Sequence, residues 1–292
     1  MIEYRALSDQ TIVVPSGTEA IRFVGCEDLK VEGVDQSAIN YGNMVAVDSC
    51  KRLKFYDPVC RDGYLTATNV GAQVTAFGID GTPEGGVYSE DISFIRPRAT
   101  NLLASAASQA ALGGHQTDGF NIASQYTRGV QILDPYISDV GEGVDNFGRY
   151  TRVRGGQIFR ARQYPLKWIH GGSSGRVDDV EICWFGIHGV SVWGSNSATW
   201  DAARNVFRGV DARQANYEGK YTANDFSAFA TLIPAGWTTK PTLNIFDGCL
   251  TDGTAKWDVL TNCPVGAGNQ FRRTVNLRNP SNVYNSEGAA VS

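Results

Sequence analysis

The chain has 292 residues, a formal net charge of −4, only 19% charged residues and 33 glycines. A mildly acidic chain without a basic run lacks the electrostatic footprint of a nucleic-acid-binding protein, so no nucleic-acid partner is expected. No stretch approaches the length of about 18 apolar residues that a membrane-spanning helix needs, so no membrane partner is expected either. Many glycines and few charges are typical of short strands joined by tight corners.

The first residues do not have the pattern of a secretory signal peptide. Met1 is followed by Ile-Glu-Tyr-Arg rather than by a basic start and an apolar stretch. Residues 10–15 already have the pattern of a strand, with no distinct capping element before them. This start predicts either a protein made without a classical signal or a fragment of a longer chain.

A short sequence motif recurs along the chain. The segment 26–31 reappears at 50–55 and at 89–94, and the sequence numbers of successive apolar anchors differ by 24, 39, 38, 23, 24, 26 and 40. These anchors are Leu29, Leu53, Ile92, Val130, Val153, Val177, Ala203 and Leu243. A repeat of this length with strand-like alternation is typical of a solenoid in which each coil adds one rung.

The repeat predicts an all-β fold, a right-handed parallel β-helix of about nine to eleven coils. A solenoid buries the apolar face of each coil against its neighbours, so length does not require a second domain. We therefore expect a single β-helix domain over residues 1–275. The remaining residues, 276–292, have the composition of a polar tail.

Three steps are longer than one coil and predict loop insertions at 59–88, 98–117 and 207–240. In the first insertion, two short runs between residues 64 and 77 have the pattern of a hairpin. The second contains an alanine-rich run, 101–112, that ends at two glycines and predicts a short helix. Insertions that leave one side of a β-helix form walls, so together they predict a groove.

The six cysteines predict free thiols rather than disulfides or a metal site. Cys26 and Cys50 occupy the same place in consecutive coils. Strands lie about 4.8 Å apart, which is wider than the Cβ separation of about 3.8 Å in a disulfide. No Cys-x-x-Cys motif and no histidine cluster is present. We expect neither a metal nor a cofactor.

A second ladder of strands lies a short distance before the first in each coil. The segments 118–122, 142–146, 164–168 and 188–192 align, and their first positions differ by 24, 22 and 24. Because side chains alternate across a strand, two inward columns are expected. They are Phe120, Val144, Leu166 and Val190, and beside them Ile122, Asn146, Trp168 and Val192. Two strands per coil in a fixed phase strengthen the prediction of a β-helix.

The same register places polar side chains in outward rows, one coil apart and about 4.8 Å from one another. We call these residues the polar strip: Asp118, Glu142, Tyr164 and His188 in one row, and Asn121, Asp145, Lys167 and Ser191 in the next. His170, Phe147 and Trp193 follow directly. The first row is expected at an exposed corner, where substitutions disturb folding little.

Each part of the strip also has a purely structural explanation. Polar residues before glycine are common at corners, and Lys167 opposite Asp145 would form a surface ion pair worth less than about 1 kcal/mol. The convergence of so many reactive groups on four consecutive coils favours a ligand or catalytic site. The clustering also argues against a purely structural spacer.

Two chemistries fit the strip. In glycoside hydrolysis, Asp118 would divide the acid and base roles with Glu142 or Asp145, because a neighbouring charge raises the pKa of the proton donor. In β-elimination, Tyr164 with His188 or His170 would move the protons while Lys167 neutralises a uronate carboxylate. The candidate catalytic residues are therefore Asp118, Glu142, Asp145, Tyr164 and His188, and the candidate substrate-binding residues are Asn121, Lys167, His170, Phe147 and Trp193.

The runs 117–120, 137–145 and 166–171 resemble the right-handed β-helix carbohydrate-active superfamily. This grouping includes pectate lyases, polygalacturonases, alginate epimerases and the tailspikes of bacteriophages. The resemblance covers residues 20–265 as architecture and 115–195 in recognisable motifs. Thr117-Asp118-Gly119 and His170-Gly171 match the polygalacturonase pattern in part. Gly141-Glu142 replaces its pair of aspartates, and no Arg-x-Lys follows, so the polygalacturonase mechanism itself does not carry over.

The resemblance implies a polysaccharide partner, either a bacterial surface glycan or an acidic polymer, cleaved internally by a hydrolase or a lyase. The alternative is a non-catalytic glycan-binding module of a phage tail protein or an adhesin. The fragment-like start favours a phage tail protein, and with it a place on a virion tail or outside the cell. Related tailspikes imply a homotrimer for a full-length parent, whereas the short polar tail predicts a monomer for this chain.

Overall fold

The structure is a computed structural model that describes residues 1–40, 42–65, 73–81, 87–112, 116–197, 200–219, 226–278, 285–286 and 290–291. Within these residues the strands pair in parallel and form a right-handed β-helix. The fold class predicted from the repeat is therefore confirmed. No helix in this part of the chain is long and apolar enough to cross a membrane.

The smaller of the two main sheets has eleven strands among the described residues. They are β2 (Thr11–Val13), β4 (Lys30–Glu32), β7 (Lys54–Tyr56), β11 (Ser93–Ile95), β15 (Gln131–Leu133), β17 (Arg152–Arg154), β19 (Arg176–Asp178), β22 (Val206–Arg208), β25 (Ile245–Asp247), β28 (Gln270–Arg272) and β31 (Ala290–Val291). A separate pair is formed by β10 (Ser89–Glu90) and β14 (Thr127–Arg128).

The larger sheet has eighteen strands in the described ranges and consists of two rows. The first row is β1 (Ile2–Arg5), β3 (Ile21–Val24), β6 (Gly42–Asp48), β9 (Val74–Asp80), β13 (Thr117–Ile122), β21 (His188–Trp193), β24 (Ser227–Leu232), β27 (Trp257–Thr261) and β30 (Asn285–Ser286). The second row is β5 (Asp35–Ser37), β8 (Val59–Leu65), β12 (Arg98–Ala104), β20 (Glu181–Phe185), β23 (Asp211–Ala215), β26 (Leu250–Thr251) and β29 (Val275–Asn276). Two long strands, β16 (Tyr136–Asn146) and β18 (Gln157–Trp168), belong to both rows.

The core is filled by columns of side chains that stack from coil to coil. In the smaller sheet, one inward column runs in strand register and contains Val31, Phe55, Phe94, Ile132, Val153, Val177, Phe207, Phe246 and Phe271. Successive phenylalanine rings stack with centroids 4.7 Å apart for Phe207 and Phe246 and 4.6 Å for Phe246 and Phe271. These spacings match the strand separation, so the apolar column is continuous.

The anchor column is correct in its first half and wrong in its second. Leu29 and Leu53 directly precede successive strands of the smaller sheet and are buried, as expected. Val153 instead pairs with Ile132, one inward column further along. Leu243 is 49% exposed and has a φ of 55°, so it does not line the core.

The physical reason is a change of chemistry within the anchor column. After Val130 the column continues through Thr151 and Gly175, and asparagines occupy its next three positions in the later coils. Asn205 Nδ2 donates to Asn244 Oδ1 at 3.0 Å, and Asn244 Nδ2 donates to Asn269 Oδ1 at 2.9 Å. A buried amide is tolerated when its neighbours satisfy it. A search of the sequence for apolar anchors therefore selects neighbouring residues such as Val153 and Leu243 instead of the residues that occupy the column.

The predicted insertions are smaller than the long steps indicated. Within the described residues, β8 and β9 do not form a hairpin, because each pairs in parallel with strands of neighbouring coils. Residues 66–72, which the hairpin would have included, lie outside the described part. The short helix predicted over 101–112 is confirmed in its second part as α1 (Ala106–Leu112), whereas residues 101–104 end strand β12. The segment 207–240 likewise contains regular strands, among them β23 and β24.

The six cysteines are free thiols, as predicted. The backbone N–H of Cys26 lies 3.3 Å from Cys50 Sγ, so the two residues are neighbours in consecutive coils. The boundary between a domain over 1–275 and a tail over 276–292 stays a prediction. Two short strands beyond residue 284 pair in parallel with β27 and β28.

Candidate functional site

The register of the polar strip is confirmed. Asp118 pairs with Glu142, and Glu142 pairs with Tyr164, each on the next parallel strand. In the neighbouring row, Asn121 pairs with Asp145, and Asp145 pairs with Lys167. Lys167 pairs in turn with Ser191.

The coil that leads from Glu142 to Tyr164 is shorter in sequence than the coils on either side of it. The pairing of β16 with β18 has a register irregularity just before Glu142, between Val140 and Glu142. The residues of the two predicted inward columns, Trp168 among them, are buried in the coils before and after this irregularity. The irregularity therefore changes the length of the coil without turning its core side chains outward.

Glycines directly after the first row allow the backbone to turn inward at this corner. A Cβ atom on Gly119 would lie 2.7 Å from the Gly143 carbonyl oxygen. One on Gly189 would lie 2.7 Å from the carbonyl oxygen of Ala228. Since real Cβ atoms do not approach a backbone oxygen so closely, only glycine fits at these positions. The Asp-Gly and His-Gly pairs are therefore required by the geometry of the corner.

Three of the four residues of the first row are buried and Tyr164 is half-buried, which corrects the expectation of an exposed corner. Asp118 is 1% exposed, Glu142 3% and His188 2%. Asp118 Oδ2 accepts hydrogen bonds from Gln73 Nε2 and, at 3.1 Å, from Asn121 Nδ2. The strip is outside the apolar core yet shielded from water, so its charges interact more strongly than surface charges do.

Two carboxyl groups of the strip bind a single ammonium group, and its charge also acts on a third carboxyl group, that of Asp118. Lys167 Nζ donates to Glu142 Oε2 at 3.0 Å and Oε1 at 3.3 Å, and to Asp145 Oδ2 at 3.3 Å. The other oxygen of Asp145, Oδ1, is buried and has no hydrogen-bond partner. Lys167 Nζ also lies 5.5 Å from the centre of the Tyr164 ring. One positive charge therefore faces a potential charge of −3.

Burial raises the pKa of all three carboxyl groups. The pKa of Asp118 lies well above its usual value because of burial first and the charges of Glu142 and Asp145 second. Burial raises the pKa of Glu142 to about 7, although Lys167 opposes the change. Burial also raises the pKa of Asp145, again against the effect of Lys167. Asp118 consequently retains its proton most readily.

Lys167 stays charged in this setting. Burial by itself would lower its pKa, but the charges of Asp145 and Glu142 outweigh burial and raise it. The strip thus combines a protonated carboxyl group with carboxylates held by an ammonium group. Among the described residues, no group of three or more His, Cys, Asp or Glu side chains is arranged to hold a metal ion.

His170 lies inside a stack of aromatic rings beside the acids. Its ring is stacked on Phe147, with centroids 5.3 Å apart, and on Trp237 at 5.0 Å. Trp200 meets it edge-on at 5.9 Å, and its Nδ1 is 3.0 Å from Ser195 Oγ. Burial lowers the pKa of His170, with partial compensation by the charge of Asp145. The imidazole is therefore neutral near pH 7.

Tyr164, His188 and Trp193 form the other side of this aromatic cluster. Tyr164 meets the His188 ring at 5.7 Å and the Trp193 ring, in a T-shaped arrangement, at 5.5 Å. His188 Nδ1 lies 2.9 Å from Ser227 Oγ. Burial lowers the pKa of His188 to about 3, so this ring does not act as a cation at neutral pH. The structure thus brings all ten predicted site residues into one continuous region.

Several residues of this region are not identified by the sequence ladders. Gln73 and Trp237 come from the predicted first and third insertions, so two of those insertions do reach the strip. Trp200 belongs to a connection after β21. One further residue of the region could have been found by extending the register of the second ladder back by one coil. This residue is Thr75, which pairs with Asp118.

No family model matches the chain, and no curated protein matches it in sequence. Among solved structures, an alginate lyase from Paenibacillus sp. str. FPU-7 is 10% identical with a TM-score of 0.53, covering 91% of this chain and 94% of its own. The alginate lyase AlyF-OU02, solved in a complex with G6, is 9% identical with a TM-score of 0.55, covering 95% and 71%.

The receptor-binding domain of the Siphovirus 9NA tailspike is a more distant match. It is 9% identical with a TM-score of 0.42, covering 94% of this chain and 51% of its own. At these identities the likeness shows the fold alone, and the tailspike match is too weak to support an argument. The parallel β-helix fold implied by the sequence resemblance is confirmed.

Proposed function

We propose that this β-helix cleaves a polysaccharide by acid–base hydrolysis at the polar strip. The observation that carries the proposal is a group of three buried carboxyls, two of which bind the one lysine of the strip. Such an arrangement keeps one carboxyl protonated while others remain ionised near neutral pH. A pair of carboxyls in these two states is what hydrolysis of a glycosidic bond requires.

Asp118 is the proposed general acid. Burial and two neighbouring carboxyls raise its pKa well above the usual value of an aspartate. In the proposed step, it gives its proton to the glycosidic oxygen as the bond from that oxygen to the anomeric carbon breaks. Gln73 and Asn121 donate to its Oδ2 and hold the carboxyl in place.

Asp145 is the proposed general base. Both oxygens of Glu142 accept hydrogen bonds from Lys167, whereas Asp145 Oδ1 has no partner. That oxygen can accept a proton from a water molecule as the water oxygen bonds to the anomeric carbon. The proton lost by Asp118 and the one gained by Asp145 then balance, and solvent restores the starting state. Glu142 and Lys167 set the charge that Asp118 and Asp145 experience.

The aromatic rings beside the acids are proposed as platforms for the sugars. Phe147, Trp193 and Trp237 are partly exposed, and so is His170 between two of them. Flat rings of this kind can pack against the apolar faces of sugars, and the nearby polar atoms can bind hydroxyl groups.

β-Elimination is less well supported. Its mechanism needs a cation that neutralises the carboxylate of a uronate sugar. The candidate, Lys167, is already held by Glu142 and Asp145 at 3.0 and 3.3 Å. A substrate carboxylate would also meet three acidic groups. A different observation favours a non-catalytic glycan-binding module, because the proposed acid and base, Asp118 and Asp145, are only 1% and 7% exposed.

Incubation with a panel of bacterial exopolysaccharides and plant or algal polymers tests the proposal. Reducing ends and the absorbance of unsaturated uronates should be followed together. We expect new reducing ends without unsaturated products. Unsaturated products would show a lyase, and binding without either product would show a binding module; both outcomes contradict hydrolysis.

Substitutions link turnover to the strip. Asp118→Asn and Asp145→Asn should each lower kcat by about 10²-fold or more, on the order of 2.7 kcal/mol of barrier. The matched control is Asp139→Asn, because Asp139 lies on the same strand as Glu142 but pairs with Arg160 at 2.6 Å, which lowers its pKa. Full turnover in both strip variants would place the chemistry elsewhere.

Location and assembly stay predictions from the sequence. A place on a virion tail or outside the cell follows from the resemblance alone. For this chain we expect a monomer, and light scattering that finds a stable trimer of the 31.6 kDa chain would contradict this expectation.

A further inference from the structure

A groove follows the outer face of the first row of strands and reaches the polar strip. Its volume is about 530 Å³, and its lining comes mainly from β3, β6 and β9 and the end of β13. Gln73 and Asn121, the two residues that donate to Asp118, belong to this lining. The groove therefore ends beside the proposed acid.

The floor of the groove is one outward column of the sheet. Arg22 pairs with Ala46, Ala46 with Gly78, and Gly78 with Asn121. The same column continues through Asp145 beyond the groove. Three strand separations from Arg22 to Asn121 span about 14 Å, which suits several linked sugars rather than one. Small residues in the middle leave the space that larger residues would fill.

Neutral amides supply hydrogen-bonding groups along the groove. Asn43, Gln73 and Asn121 all line it. The Asn43 side chain lies so close to Gly78 that a Cβ atom there would collide with it. Next to these amides lies Thr75, which pairs with Asn43 on one neighbouring strand and with Asp118 on the other. Its side chain is fully buried, and its Oγ1 has no hydrogen-bond partner. Amides both donate and accept, as sugar hydroxyl and N-acyl groups do.

The charges of the groove do not suit an acidic sugar. Asp48 and Asp80 line it, and Arg22 pairs with Asp48 at 2.7 Å and with Glu3 at 3.7 Å. In the described part of the chain, the other cations at its ends are also paired. These are the Met1 ammonium, which is 3.3 Å from Glu19, and Lys167 in the strip. A carboxylate in the groove would meet Asp80, which has no ion pair among the described residues, and like charges that are brought together weaken binding.

We infer that this groove binds a neutral glycan, whose sugars carry hydroxyl or N-acyl groups instead of carboxylates. The inference rests on the proposed function only for the point of cleavage, which would lie at the Asp118 end of the groove. It narrows the substrate class and excludes the uronate polymers that the sequence resemblance leaves open.

Binding measurements on defined probes test the inference. Neutral hexasaccharides of hexoses and N-acetylhexosamines are compared with oligogalacturonate and oligoalginate of the same length by calorimetry at low salt. At least one neutral probe should bind, and the uronates should bind at least tenfold more weakly. A uronate that binds as tightly as every neutral probe, or no binding of any neutral probe, overturns the inference.

Two variants locate the binding. Ala46→Trp fills the groove and should weaken neutral binding at least tenfold, and Asn43→Ala, which adds no bulk, should weaken it severalfold. The matched control is Val13→Trp, because Val13 is 70% exposed on the first strand of the smaller sheet. Unchanged affinity in both groove variants overturns the inference.

The result can be separated from the test of the proposed function. If Asp118→Asn abolishes turnover but both groove variants bind and cleave normally, hydrolysis stands and the groove assignment fails. If the groove variants lose binding while the parent shows no turnover, the groove assignment stands and hydrolysis fails.

Discussion

Two carboxyl–cation groups, each built from residues on neighbouring coils, differ in almost every physical property. At the corner after the smaller sheet, Arg96 Nε lies 2.6 Å from Asp57 Oδ1, with the two side chains 58% and 61% exposed. In the polar strip, Lys167 Nζ lies 3.0 Å from Glu142 Oε2, with exposures of 14% and 4%. The hydrogen bond from Arg96 lowers the pKa of Asp57, whereas burial raises that of Glu142.

The comparison teaches that burial, and not residue type, gives the strip its capacity for acid–base chemistry. Exposed pairs are screened by water and contribute little beyond solubility. Buried groups lose solvation, so their protonation states depend on one another. Both pairs look alike in the sequence, since each places opposite charges about one coil apart.

The largest expected effect is the loss of the lysine. Lys167→Met leaves three buried carboxyls without their cation and should lower the unfolding free energy by about 3–5 kcal/mol near pH 8. Near pH 5 the loss should be smaller, because the carboxyls are then protonated. Urea titration at the two pH values measures it. Equal losses at both pH values would mean that Lys167 acts through packing alone.

The pH dependence of stability should have opposite signs at the two sites. The pKa of folded Glu142 is about 7 against an ordinary value of 4.5, so the folded protein holds more protons between these values. The stability that Glu142 contributes is therefore complete below about pH 4.5 and is lost as pH rises towards about 7. Glu142→Gln removes the group whose ionisation causes that loss. The substitution should therefore raise the unfolding free energy at pH 8 by roughly 1–3 kcal/mol.

Asp57 should show the reverse behaviour. Its folded pKa lies below 3.8, so its contribution is present above that pH and disappears as pH falls through the folded value. Asp57→Asn is the matched control for Glu142→Gln, and unfolding curves from pH 3 to 8 compare them. If both substitutions changed the pH dependence of the unfolding free energy in the same direction, the contrast between the two sites would be contradicted.

The smallest expected effect is at the exposed pair. Arg96→Met should change the unfolding free energy far less than Lys167→Met does, and added salt should reduce that change further. The same urea titration used for Lys167→Met measures it. A loss comparable with that of Lys167→Met would show that exposure does not separate the two sites.

The repeat in the sequence was sufficient to predict the fold, the register of the second ladder and the residues that lie in the strip. Repeat length and side-chain alternation are local properties, and stacking coils convert them directly into columns such as Phe120 over Val144. The short helix and the free thiols follow from equally local signals.

The repeat could not predict how deeply the strip is buried or which groups surround it, because both arise only in the folded chain. Burial depends on segments distant in sequence, such as those that bring Gln73 to Asp118 and Trp237 to His170. The asparagine column that includes Asn244 escaped a search for apolar anchors because hydrogen bonds between coils replace apolar contact there. The groove likewise depends on two small residues, Ala46 and Gly78, in register on neighbouring strands. Shielding from water is a property of the assembled surface, and no single repeat encodes it.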